Sequence, residues 1–415
     1  MAACDPNEAA GAGDSISRRQ VGLFAVAVGI VVLPLFATQP LVGVIGPDLG
    51  LSPSVSALTA TVTLLGYAAG LFLLVSLTDV LENRRLILAI LLGDVLALIA
   101  LALAPTSALF LLAAFLVGLL TSAIQMLVPV AAALSAEASR GRTVGAVMSG
   151  LMLGILFSRP LASLVAEFWG WRSLYGLLAA AVAALTVALA PFLPPLRSRG
   201  HSSYGALIGS LGSILREEPV LRRRAASQAL CMGAFGAFWT SVALQLSAPP
   251  LALGQIGIAG FAFTGAAGAV IAPIAGRAGD RGLTRPATIL AHAAVIVATG
   301  VACLGGVILS ASTGPALACL SVAAVLLDLG VIADQTLGRR AINLLRPEAR
   351  GRVNGLFTGL FFLGSAAGSA LSGFAWSTGG WGGVCAVGAV FGLGALAVAL
   401  TDGRARLEGA AARRL

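Results

Sequence analysis

Long apolar runs, parted by short polar, glycine or proline breaks, fill the chain almost from end to end. An α-helix rises 1.5 Å per residue, so about 20 apolar residues suffice to cross a hydrocarbon core roughly 30 Å thick. Twelve runs of that kind fall at 21–44, 54–78, 86–104, 107–134, 143–166, 173–195, 224–247, 255–277, 286–310, 315–338, 352–375 and 382–401. The longest polar stretch, 196–223, divides them six and six. The pattern predicts a tail over 1–20, a six-helix half over 21–195, a linker over 196–223, a second half over 224–401 and a tail over 402–415. Within the linker, Tyr204 to Leu215 has the spacing of an amphipathic helix lying on a membrane surface.

Composition agrees, with 58% hydrophobic and 10% charged residues, against roughly 45–50% and about 25% in water-soluble domains. The net charge of +9 would suggest nucleic acid in a soluble chain. Here the 26 basic residues, all Arg, sit in alternate connections. Arg18, Arg19, Arg84, Arg85, Arg140, Arg142, the linker, Arg277, Arg281, Arg285, the stretch Arg339 to Arg352 and the C-terminal tail lie on one side. The other side carries only Arg172. Retention of positive charge in the cytoplasm then predicts that both termini are cytoplasmic. The arginines read as anchors at lipid headgroups, which excludes nucleic acid as partner. No cleavable leader pattern precedes the first run. The five cysteines are scattered, with no ligand spacing, and read as small apolar residues; no metal or cofactor is expected.

The two halves are related in sequence. A shift of 210 lays Arg140-Gly141-Arg142 on Arg350-Gly351-Arg352, Gln125 on Gln335, Gly154 on Gly364 and Gly170-Trp171 on Gly380-Trp381. A shift of 201 lays Asp79 on Asp280 and Arg84 on Arg285. A duplicated six-span unit is the signature of membrane transporters that hold substrate between repeats and rock one against the other.

These residues resemble the major facilitator superfamily along essentially the whole chain, and within it the twelve-span drug:proton antiporter-like branch. The family's loop signature G-x3-D-R-x-G-R-R appears as Asp79, Arg84 and Arg85 in one half and Gly276, Asp280, Arg281 and Arg285 in the other. Val75 and Val80 replace its first Gly and Arg in the first copy. Gln39-Pro40 and Gly170-Trp171-Arg172 also look like that branch. The chain departs from it at Ala114 to Gly118, which lacks the branch's Arg and Gln-Gly, and at Arg159-Pro160, where Gly-Pro is usual. The resemblance implies an all-α membrane protein with twelve transmembrane helices in two pseudo-symmetric six-helix bundles, working as a monomer. Asp79, Arg84, Arg85, Asp280, Arg281 and Arg285 would then form a cytoplasmic gate, held by charge-assisted bonds at helix ends. Their plain alternative is that the arginines only fix topology.

Ionisable groups at mid-bilayer cost roughly 2.5–3.5 kcal/mol each and so face a cavity or a partner. Asp94, Arg159, Asp328 and Asp334 are the candidates, with Gln39, Gln125 and Gln335 as uncharged wall residues. Asp328 reads either as a protonatable cavity group or as a carboxyl paired between helices. Six residues turn a helix by about 600°, so Asp328 and Asp334 point about 120° apart. Arg159 reads either as the partner of an acid such as Asp94 or as a contact for an anionic substrate group. His292 reads as packing or proton relay, and Trp239 and Gln245 as further cavity residues.

No phosphate loop, no nucleophile with its base and no metal-ligand spacing occurs, so an enzyme is not expected. The reading is an inner-membrane secondary transporter, with proton-coupled efflux of a small organic compound by alternating access. The alternatives are an importer or facilitator of a metabolite, which the Arg159 option would make anionic, and a non-transporting receptor on the same fold.

Overall fold

The computed structural model describes residues 16–195, 204–346 and 349–412, and no strand occurs among them. Spans one to six are Arg18–Asp48, Ser54–Thr78, Asn83–Ala102, Ser107–Ala133, Glu137–Trp169 and Trp171–Leu189. Spans seven to ten are Pro219–Ser247, Gln255–Asp280, Thr284–Ile308 and Thr313–Ile342. The remaining helical stretch, Arg350–Ala412, breaks at Gly380 (φ 56°, ψ −147°) and so contains spans eleven and twelve. This is an all-α, multi-pass membrane protein of two six-helix halves, as the apolar pattern predicts.

Two boundaries differ from the sequence expectation. A loop was expected over 167–172, yet spans five and six meet at the single residue Gly170. Its φ of 79° needs no Cβ penalty and reverses the chain within one residue. Gly380 does the same between spans eleven and twelve, so this equivalent pair carries equivalent turns. Arg172, the one arginine against the charge rule, binds Asp48 at the end of span one and stacks 4.2 Å over Trp171. Its charge is therefore balanced by Asp48.

The halves pack in the same way internally. Span one lies against span five and span seven against span eleven. A Cβ on Gly154 would collide with the Gly29 carbonyl, and one on Gly364 with the Ala229 carbonyl. Backbones this close gain dispersion where lipid supplies no hydrophobic drive. Between halves, span two runs along span eleven and span five along span eight.

The linker helix exists, as Tyr204–Glu217. Leu207, Leu211 and Ile214 are its buried stripe, at the i, i+4, i+7 spacing. Tyr204 donates to the Leu73 carbonyl at 3.0 Å, and Arg352 donates to Ser210 at 2.9 Å, so the helix touches the ends of spans two and eleven. Arg346 donates to Glu218 (2.6 Å) and Glu217 (2.7 Å), and these bonds raise its pKa. Residues 1–15, 196–203 and 413–415 of the expected tails and linker, with Cys4, lie outside the described residues.

Candidate functional site

Three spans are interrupted near their middles, and the interruptions of spans one and eight meet the opposite half. Span one is α-helical over Arg18–Val31, Leu33–Ala37 and Val42–Asp48, with a 3-10 turn at Gln39–Leu41. Pro34 and Pro40 lack the N–H that a continuous helix would use, so the ladder breaks around Gln39. Span eight changes to a 3-10 segment at Phe263–Ala267, and span four breaks between Thr121 and Ile124. Discontinuous helices at membrane depth are tolerated where they line a cavity.

Arg159 leaves span five and crosses towards the other half. Its Nε donates to Gln39 Oε1 at 2.9 Å. Its guanidinium carbon lies 4.3 Å from the Trp239 ring centroid, 5.1 Å from Phe36 and 5.2 Å from Phe235. Three ring faces thus solvate a cation that is 5% exposed. The Trp239 indole donates in turn to Asp328 Oδ1 at 2.9 Å. Gly265, in the interrupted part of span eight, makes room for this: a Cβ there would stand 3.0 Å from Asp328 Oδ2 and 3.3 Å from Trp239. Trp239 therefore has an arginine on its face and a carboxylate at its N–H edge. Pro40, Arg159, Trp239 and Phe261 line a small cavity of about 10 Å³ beside it.

The expectation that Arg159 pairs with an acid such as Asp94 is corrected. Both Asp94 carboxylate oxygens, on span three, are buried without a hydrogen-bond partner among the described residues. Arg159 extends instead between the halves, because the aromatic faces of spans one and seven offer it an environment there. Phe36 and Phe235 escaped the sequence reading, since aromatic residues in apolar runs look like ordinary packing.

Gln125 donates to the Tyr67 hydroxyl at 3.2 Å, and the Tyr67 ring meets Phe362 of span eleven edge-on at 4.6 Å. Gln335 is half-buried on span ten. Gln245 donates to the Gly306 carbonyl at 3.2 Å, inside its own half. Thr61 of span two and Thr240 of span seven both donate to Ser369 of span eleven, at 2.8 and 2.9 Å. That three-way junction crosses between halves and had no sequence signal beyond small hydroxyl residues.

Asp334 lies apart from Asp328, as the helical angle requires. The Ser227 hydroxyl donates to its Oδ2 (3.1 Å) and lies 3.0 Å from His292 Nε2. His292 Nε2 is 3.4 Å and Arg224 Nη1 4.0 Å from Asp334 Oδ1. Donor atoms of Cys231, His292 and Asp334 fall within 4.8 Å of one another, so the trio has the donors for a metal ion. The adjacent Arg224 charge opposes a cation there and already balances the carboxylate. The cluster lies between spans seven, nine and ten; His292 is a polar partner in it rather than plain packing, and the Cys231 sulfur lies within 4.8 Å of the other two donor atoms.

The expected gate residues form no ion pair between halves among the described residues. Asp280 pairs with Arg340 of span ten at 3.0 Å, within its own half. Arg85 lies 3.6 Å from Glu82, one turn away. Arg84, Arg281 and Arg285 have no ion pair among the described residues, and the Asp79 side chain lies outside them. Exposure explains the difference: Asp280 is 71% exposed and takes the nearest guanidinium.

The profile of the Major Facilitator Superfamily matches residues 24–328. The uncharacterized transporter YgaY of Escherichia coli O157:H7 is 35% identical over 378 residues, covering 91% of this chain and 94% of its own. A protein of Streptomyces coelicolor named as transporter SCO4007 is 32% identical over 398 residues, covering 95% and 90%. Among solved structures, a bacterial homolog of the human lysosomal transporter Spinster, inward-facing and unoccupied, aligns with a TM-score of 0.64. It is 14% identical and covers 93% of this chain and 95% of that one. A mutant of the peptide transporter POT in complex with alafosfalin aligns with a TM-score of 0.69, at 15% identity and the same coverages. At such identities the likeness concerns the fold.

Proposed function

Because the chain belongs to the major facilitator superfamily, we propose that this transporter exports a small organic compound in exchange for protons, through the site around Trp239. The observation that carries the reading is the arrangement of Arg159 from one half on Trp239 of the other, with Asp328 on the same indole. Buried charges that bridge two halves are costly unless they serve the pathway. Any rocking of one half against the other changes the surroundings of Asp328, so its protonation and the orientation of the site are linked. Exchange follows if proton and substrate take turns at this carboxylate. Efflux rather than uptake is supported by the loop residues Gly276, Asp280, Arg281 and Arg285, which look like the antiporter branch.

In this reading the arginine-rich face is cytoplasmic, both termini lie there, the membrane is the bacterial inner membrane, and one chain is the working unit. The gate residues contribute in the outward-facing state, in which their partners differ from the local pairs described above.

Asp328→Asn tests the assignment in inside-out vesicles and proteoliposomes. The variant is expected to insert normally and to lose flux driven by a pH gradient, while pH-independent exchange of substrate persists. Unchanged pH-driven flux would remove Asp328 from the coupling role. Substrate leaving inside-out vesicles, instead of accumulating in them, would replace export by uptake.

A further inference from the structure

Two hydrogen-bond donors at the site have nothing to bond to. Arg159 Nη2 and Gln39 Nε2 are both buried, at residues 5% and 0% exposed, and neither has an acceptor among the described residues. They belong to the two side chains joined by the Arg159 Nε to Gln39 Oε1 bond. A buried donor without an acceptor is destabilising, and an incoming oxyanion would satisfy it. Across the indole, Asp328 uses Oδ1 for the Trp239 N–H. Among the described residues its Oδ2 has no hydrogen bond, and the residue keeps 5% of its surface. The site therefore offers vacant donors beside a fixed positive charge and a vacant acceptor on a negative one, separated by a single ring.

From this we infer that the substrate is a small zwitterion carrying a carboxylate and an ammonium group close together, as in a free α-amino acid. The inference rests on the transport reading above and adds the substrate class. Charge balance argues for it over the simpler classes. An anion on Arg159 would leave Asp328 uncompensated in a low-dielectric space, and a cation on Asp328 would do the same to Arg159. A zwitterion satisfies both and adds no net charge. The carboxylate takes Arg159 Nη2 and Gln39 Nε2. The ammonium takes Asp328, and there it competes with the proton, which gives exchange.

Isothermal titration on the purified full-length protein decides between the classes without needing flux. The probes are the free α-amino acids, their methyl esters and their N-acetyl derivatives, titrated as three sets. Members of the free set are expected to bind, and each blocked counterpart to bind about tenfold more weakly or worse, because each leaves one buried charge unpaired. Arg159→Gln is expected to equalise acid and ester, and Asp328→Asn to equalise amine and N-acetyl forms. Equal or tighter binding of the esters overturns the inference in favour of a cation, and of the N-acetyl forms in favour of an anion. Binding by none of the three sets overturns it as well. Counterflow in proteoliposomes then separates the two claims. A bound amino acid without counterflow sinks the transport reading alone, while counterflow of a blocked form sinks the zwitterion alone.

Discussion

Asp334 is 1% exposed, and the groups around it account for its presence there. Arg224 and Ser227 from span seven and His292 from span nine point at one carboxylate, with the Cys231 sulfur within 4.8 Å of it. Removing one member of a buried charge pair leaves the other uncompensated, at a cost of about 3–5 kcal/mol. Arg224 keeps 15% of its side chain exposed, which places the expected loss at the lower end of that range. Asp334→Ala should therefore lower the melting temperature in detergent by several degrees, and Arg224→Met in the same chain should restore most of it. A melting temperature indistinguishable from the parent in Asp334→Ala would show that the cluster is not holding the second half together. Were stability kept and flux lost, Asp334 would belong to the pathway, where the sequence reading placed it. Asp94 offers a contrast, because its oxygens have no such neighbours.

At the scale of helices, close packing through small residues is repeated between the halves. Gly154 on span five and Gly364 on span eleven each leave room for a carbonyl of the neighbouring span, Gly29 in one case and Ala229 in the other. Extra atoms forced into a filled contact cost typically about 1–3 kcal/mol, and more when the obstruction is backbone. Gly154→Val and Gly364→Val are expected to reduce the monodisperse fraction on size-exclusion chromatography to similar degrees. Gly145→Val, on the same span with nothing within 4 Å of its Cβ, is expected to behave as the parent. If Gly154→Val and Gly145→Val elute alike, the backbone contact is not needed. This pair of glycines was legible in the sequence, because the shift that superposes Arg140 on Arg350 also superposes them. The twelve apolar runs were legible for the same kind of reason, since helix length is set by the bilayer. The turns at Gly170 and Gly380 were half legible: the residues matched, but nothing local announced that one residue would do the work of a loop. The partner of Arg159 was not legible. Gln39 is 120 positions away, and only tertiary packing brings it, Phe36 and Trp239 to one guanidinium. Arg224 and Cys231 were missed because each has an ordinary explanation alone, a topological anchor and a small apolar residue. Their spacing of seven on one helix, with Ser227 between, was the available signal.

The whole molecule is closed on its arginine-poor face. There the end of span one packs on span seven, where a Cβ at Gly43 would stand 3.2 Å from Leu244. Span two packs on span eleven at the same level, where Gly373 leaves space for Ala57 and the Ser54 carbonyl. Towards the arginine-rich face span two still meets span eleven, where a Cβ on Gly359 would collide with the Phe72 ring. Both closures run between the halves, so a transporter that rocks about its central site must open them once in each cycle. Gly43→Cys and Leu244→Cys, in a background whose five native cysteines are replaced, place two thiols across that seam. A short thiol cross-linker is expected to join them and to stop substrate counterflow, and reduction of a cleavable linker should restore it. Each single-cysteine variant, treated in the same way, should keep its flux, which separates a locked seam from a damaged one. Undiminished counterflow in the fully cross-linked protein would show that this face need not open, and with it rocking of the two halves would fall.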